Sequence, residues 1–147
     1  MNQELNQESS KSVSTLPAAA SVSASVLVVD DDGGTQELLA EMLGLMGFNE
    51  LYTAEDGRMA LKVLSELKRP PKFLICDIYM PEMDGFEFMD QLVAQRYSGG
   101  IVMMTGVDPE MLRVARNLAV ARGLQVLGTF MKPVSLDELS SILKPRS

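Results

Sequence analysis

Three consecutive carboxylates, Asp30-Asp31-Asp32, end the apolar run Val26-Leu27-Val28-Val29, and a fourth, Asp77, ends the run Phe73-Leu74-Ile75-Cys76. Like charges brought together repel and resist ionisation. A cluster of ionised carboxylates therefore implies a hard cation, and magnesium, with its preference for oxygen ligands, fits that chemistry. The chain has no histidine, which removes imidazole acid/base catalysis, histidine metal sites and an internal phosphohistidine. Phosphate or proton chemistry here has to use carboxylates, Lys, Thr or Ser.

The elements that must position these acids are legible from hydrophobic periodicity. Short β-rich apolar runs predict strands over 26–31, 50–54, 73–77, 100–105 and 126–131. Amphipathic stretches between them predict helices over 35–46, 57–67, 85–96, 109–122 and 136–143. Local signals mark the helix ends: Gly47 as a stop, Asp84 as a cap for the third helix, Asp108-Pro109 opening the fourth, and Ser135 with Glu138 as a capping box for the fifth. Continuous apolar strands alternating with helices give an α/β fold, a single doubly wound five-stranded parallel sheet with helices on both faces. In such sheets the carboxyl ends of the strands form the ligand crevice, so Asp30, Asp31 and Asp77 converge there.

Composition bounds the rest. At 147 residues and 46% hydrophobic, residues 26–147 can form one domain with a substantial core. A net charge of −7 argues against sequence-independent nucleic-acid binding by this segment, which needs clustered Lys and Arg. Its partners are expected to be proteins. The single cysteine, Cys76, excludes an internal disulfide and, within an apolar run, reads as a buried thiol suited to a reducing cytoplasm. Residues 1–25, rich in Ser, Ala, Gln and Glu, are expected to form a disordered tail. They lack the basic start and apolar stretch of a signal peptide, and no run in the chain approaches the roughly 20 apolar residues of a membrane span.

Five groups of residues, in order, resemble the receiver domain of two-component response regulators. They are Val28-Val29-Asp30-Asp31, Asp77, Met80-Pro81-Glu82-Met83-Asp84-Gly85, Met103-Met104-Thr105-Gly106 and Lys132-Pro133, after strands one, three, three, four and five. The resemblance covers residues 26 to 143 and implies a flavodoxin-like strand order of 2-1-3-4-5. It implies that Asp77 accepts a phosphoryl group from the phosphohistidine of a sensor histidine kinase or histidine phosphotransfer protein. It further implies a Mg2+ ion held by Asp30, Asp31, Asp77 and the backbone carbonyl of Tyr79. Lys132 would neutralise one phosphoryl oxygen and Thr105 would bond another. Lys132-Pro133 is expected to be a cis peptide. Output would pass through the fourth helix, fifth strand and fifth helix to an output protein or a C-terminal output domain, with phosphorylation-dependent homodimerisation as a further expectation. The protein would be a signalling domain that catalyses only its own phosphorylation and dephosphorylation.

Some residues carry plainer readings. Asp32, before Gly33-Gly34, reads as a turn or helix cap and not as a ligand. Met42, Met46, Met59 and Met89 read as packing residues. Three residues before Lys132, where receivers commonly carry an aromatic switch residue, stands Thr129; period-two alternation points neighbouring Phe130 to the opposite face. Gly33-Gly34 is expected to loosen the loop beside the acids. The segment Leu112 to Pro133 also bears a weaker likeness to receivers preceding EAL-type cyclic-di-GMP phosphodiesterase domains, without any catalytic residue of that activity. Two alternatives differ in class. A haloacid-dehalogenase-type phosphotransferase requires a second aspartate two residues after the first, where this chain has Tyr79. A receiver-like module signalling without phosphate would have no use for the intact acceptor set.

Overall fold

The five apolar runs become five parallel strands because each is apolar at successive positions and can be buried on both faces. A computed structural model describes residues 25–79 and 85–143 of the chain. In order along the chain the elements are β1 (Ser25–Val29), α1 (Gly33–Leu45), β2 (Glu50–Ala54), α2 (Gly57–Glu66), β3 (Phe73–Asp77), α3 (Gly85–Ala94), β4 (Gly100–Thr105), α4 (Pro109–Ala121), β5 (Gln125–Met131) and α5 (Leu136–Ile142). The sheet order is β2-β1-β3-β4-β5, as the resemblance implied. The expected tail lies outside the described residues, apart from Ser25, which opens β1. Among the described residues no helix is long and apolar enough to cross a membrane.

Two apolar layers sandwich the sheet. On one face α2, α3 and α4 supply Ala60, Phe88, Leu92, Leu112, Ala115 and Ala119 against Leu27, Leu74, Ile101 and Met103. On the other, α1 supplies Leu39 and Leu43, and α5 with its C-cap supplies Leu139 and Leu143, against Val28, Ile75, Val102, Met104 and Phe130. Each fully buried Leu or Phe contributes about 1.5–3 kcal/mol relative to exposure, so these layers fix the heights of the strand ends. Thr129 and Phe130 face opposite sides as expected, with Phe130 in the α1/α5 layer.

Three expectations need correction. β1 ends at Val29, so Asp30 and Asp31 belong to the turn that follows it. Gly33 and Gly34 are the first residues of α1 and not a loosened loop. The Asp32 carboxylate accepts from the amides of Gly34 and Thr35 and offsets the poor helix propensity of glycine. Met59 is 45% exposed. The buried stripe of α2 runs through Ala60 with Leu61, Val63 and Leu64, which leaves Met59 outside it. Met89 is buried, and Met42 and Met46 pack against the α1/α5 layer, as read.

Caps predicted from sequence appear at Asp108 and Ser135, the latter with the full capping box to Glu138. The proposed cap Asp84 lies outside the described residues. Gly47 ends α1 with a positive φ of 98°, a left-handed conformation that glycine adopts without strain. β5 contains a bulge: Ile101 pairs with Val126 but Val102 pairs with Gly128, which leaves Leu127 as the extra residue.

Candidate phosphoacceptor and cation site

Main-chain bonds tie the carboxyl end of β1 to that of β2, β3 to β4, and β4 to β5. Asp30 N–H donates to Ala54 O at 3.0 Å, Ile78 N–H to Met104 O at 3.0 Å, and Lys132 N–H to Thr105 O at 2.9 Å. Together with the β1–β3 register, in which Val29 pairs with Cys76, these bonds set the relative heights of Asp30, Asp77, Thr105 and Lys132. Register places Asp77 opposite Met104 and Thr105 opposite Met131, so Thr105 lies one step beyond Asp77 on the adjacent strand and Lys132 one step beyond Met131.

Asp77 is 4% exposed and each of its oxygens is engaged. Oδ1 accepts from the Tyr79 amide at 2.8 Å, and Oδ2 accepts from Lys132 Nζ at 2.7 Å. Asp30 is fully buried, with Oδ1 accepting from the Asp32 amide at 2.8 Å. Lys132 Nζ also stands 2.7 Å from Asp30 Oδ2. That oxygen has no hydrogen bond of proper geometry, so the contact is electrostatic. Asp31 is exposed beside them, and carboxylate oxygens of Asp30, Asp31 and Asp77 lie within 4.8 Å of one another.

Burial raises the pKa of Asp30 even though Lys132 and the Asp32 amide favour its charged form. Burial also lowers that of Lys132, but pairing with Asp30 and Asp77 outweighs it and the net shift is upward. Three acids with one lysine leave the crevice short of positive charge. An all-oxygen donor set with one poorly satisfied buried oxygen suits a hard divalent cation and not a soft metal, so the cluster could hold a metal ion.

Thr105 is fully buried, and its Oγ1 accepts from the Val107 amide at 3.2 Å. The Lys132-Pro133 peptide is cis. Asp32 turns away into the α1 cap, where its carboxylate accepts from the Thr35 hydroxyl at 2.7 Å, and that bond lowers its pKa. The structure thus brings Asp30, Asp31, Asp77 and Lys132 together, with Thr105 adjacent, and separates Asp32 from them. Sequence reasoning passed over Gln36, whose side chain bonds the ends of β1 and β2. No local pattern announces a residue whose partner lies eighteen positions away.

Residues 26–144 match the response regulator receiver domain. The chain belongs to this family. Receiver domains accept a phosphoryl group on an aspartate in two-component signalling, which sets aside the haloacid-dehalogenase alternative. The sensor histidine kinase RcsC of Salmonella typhi is 34% identical over 118 residues, covering 80% of this chain and 12% of that protein. The regulatory protein AtoC of Escherichia coli is 29% identical over 119 residues, covering 81% of this chain and 24% of that protein. The chain therefore spans a quarter or less of these two relatives. Among solved structures, the chemotaxis protein CheY4 of Vibrio cholerae is 30% identical with a TM-score of 0.68, covering 84% of this chain and 98% of that one. The weaker likeness to receivers preceding EAL-type domains is not borne out by these matches.

Proposed function

We propose that Asp77 is the phosphoacceptor of this receiver and that Asp30, Asp31, Asp77 and the Tyr79 carbonyl hold Mg2+. The observation that carries this reading is the buried Asp77 carboxylate, held on one side by the Tyr79 amide and on the other by Lys132, within 4.8 Å of two further acids. A carboxylate oxygen of Asp77 attacks the phosphorus of a phosphohistidine; the P–O bond forms, the P–N bond breaks, and the imidazole leaves with the electron pair. The product is a 4-aspartylphosphate. Lys132, released from Asp77, pairs with a phosphoryl oxygen, and the Thr105 hydroxyl donates to another. Magnesium, when bound, would neutralise charge between the acceptor and the phosphoryl oxygens.

The donor is a sensor histidine kinase or a histidine phosphotransfer protein in the cytoplasm. Withdrawal of Thr105 toward phosphate repacks α4 and β5, and the α4–β5–α5 surface then changes affinity for an output protein, a C-terminal output domain or a second copy of the chain. With Thr129 in place of an aromatic ring, this coupling runs through repacking alone. The domain catalyses only the gain and loss of its own phosphoryl group. Incubation with acetyl phosphate or phosphoramidate and magnesium should yield a base-labile label that EDTA abolishes. Undiminished labelling of Asp77→Asn, or labelling without a divalent metal, overturns the assignment.

A further inference from the structure

The side-chain amide of Gln36, in the first turns of α1, reaches back beneath the acidic turn. Its Nε2 donates to Asp30 O at 2.7 Å and to Ala54 O at 3.1 Å. Val29 and Ala54 are the last register partners of β1 and β2, so one amide ties the exits of two neighbouring strands to the helix that follows them. Ala54 O also receives the Asp30 amide at 3.0 Å. The residue that carries the first carboxylate is thereby held through both its N–H and its C=O.

The carbonyl of Asp30 lies in the same rigid peptide plane as the nitrogen of Asp31. Fixing that oxygen fixes the direction in which Asp31 leaves the strand. Asp30 needs this little, because it is buried and its Oδ1 is held by the Asp32 amide. Asp31 needs it more: it is exposed, and no packing layer locks its place. Gln36 touches neither carboxylate. It acts on the peptide that joins them.

We propose that Gln36 is the positioning residue of the cation site, setting the spacing of the Asp30 and Asp31 carboxylates through the peptide between them. The proposal rests on the reading of these acids as magnesium ligands. Magnesium demands near-octahedral geometry with short bonds, whereas calcium accepts longer and less regular ones. Loss of Gln36 should therefore damage magnesium binding more than calcium binding. A residue that only stabilised the fold would not alter that ratio.

The test titrates Mg2+ and Ca2+ separately into the metal-free full chain, carrying Gln36→Met, Asp31→Asn or no substitution, with thermal melts of each. Leu143→Ala, a buried change in the α1/α5 layer, serves as a destabilised control. Gln36→Met should weaken Mg2+ binding by roughly tenfold or more, as loss of groups that orient ligands commonly does. Its Ca2+ affinity should fall by less than about threefold, because that ion tolerates the looser spacing. The control should keep both affinities. If Gln36→Met does not fold, Gln36→Asn, too short to span both carbonyls, should give the same contrast. Unchanged Mg2+ affinity in the Gln36 variant beside a loss in Asp31→Asn overturns the role of Gln36 alone, and so does an equal fall for both ions. Failure of the unsubstituted chain to bind Mg2+ overturns the cation-site reading and this proposal with it.

Discussion

Lys132 Nζ stands 2.7 Å from Asp30 Oδ2, inside the group of acids and not at its edge. The same nitrogen is 2.7 Å from Asp77 Oδ2, so one ammonium holds two buried carboxylates together before any phosphate arrives. A metal ion and this lysine compete for the same oxygens. Lys132→Met should bind Mg2+ about tenfold more tightly, equivalent to about 1.4 kcal/mol. It should also lose labelling by acetyl phosphate, since no side-chain ammonium then meets the phosphoryl oxygen that the metal leaves uncompensated. Calorimetric titration and labelling, done side by side, separate the two effects.

The pairing also sets a pH dependence. Because partnership with Asp30 and Asp77 outweighs burial, the folded-state pKa of Lys132 is raised. Its contribution to stability is then fully present below the unfolded-state value, about 10.4, and is lost as pH rises through the higher folded value. Urea unfolding from about pH 9 to pH 11 should show stability falling more steeply in the unsubstituted chain than in Lys132→Met.

Asp31 and Asp32 are adjacent acids with different employment. Asp31 lies in the acidic cluster, whereas Asp32 spends its oxygens on Gly34, Thr35 and the Thr35 hydroxyl. Asp31→Asn should weaken Mg2+ binding by more than about tenfold, or 1.4 kcal/mol. Asp32→Asn should change it by less than about twofold, because Asn caps helices nearly as well. Equal effects on fluorescence titration would refute this division.

The lifetime of the phosphorylated form should be long. Two residues after Asp77 and two after Thr105 stand Tyr79, 40% exposed, and Val107, 71% exposed. Neither carries a carboxylate or amide side chain to orient a water for in-line attack. Phosphate release from the purified phosphoprotein should take many minutes. Tyr79→Asn with Val107→Glu should accelerate it. Loss within seconds in the unsubstituted protein, or no acceleration in the double variant, would contradict this.

Arg96 is the described non-glycine residue with a positive φ, 59°. The chain leaves α3 through Arg96 N–H to Val93 O and Tyr97 N–H to Leu92 O, the same closure that Gly47 and Gly123 make after α1 and α4. An L-residue in that conformation is strained by about 1–2 kcal/mol. Arg96→Gly should stabilise the fold by about 0.5–1 kcal/mol, because the relieved strain exceeds the added chain entropy. A thermal melt should rise by about 2–3 °C.

What the sequence made legible followed from short-range pattern. Apolar runs located all five strands to within a residue or two, and Asp108, Ser135 and Gly47 marked their helix ends because caps are local chemistry. The placement of Asp30, Asp31 and Asp77 followed from the rule for parallel sheets. Features that depend on distant partners stayed hidden. Gln36 acts on a strand eighteen residues away, and the Leu127 bulge arises from mismatch with β4. The apolar-run reading also carried β1 two residues too far, because nothing in Asp30-Asp31 announces that main-chain pairing stops at Val29. Met59 looked apolar enough to pack, but the phase of α2 was set by Ala60 against the sheet.

The burial of Cys76 has a practical consequence. This residue is the sole thiol of the chain, buried next to the acceptor in β3, with β1 and β4 paired on either side. Burial foremost, then the neighbouring charges of Asp77 and Asp30, keeps it protonated at neutral pH. It lies in the apolar layer under α2, α3 and α4, so an alkylating reagent can reach it only when that layer opens, and the labelling rate counts openings. The native protein carries a built-in clock for the opening of the helical layer over its central strand, one that reads the cover of the strand bearing Asp77 without any added probe.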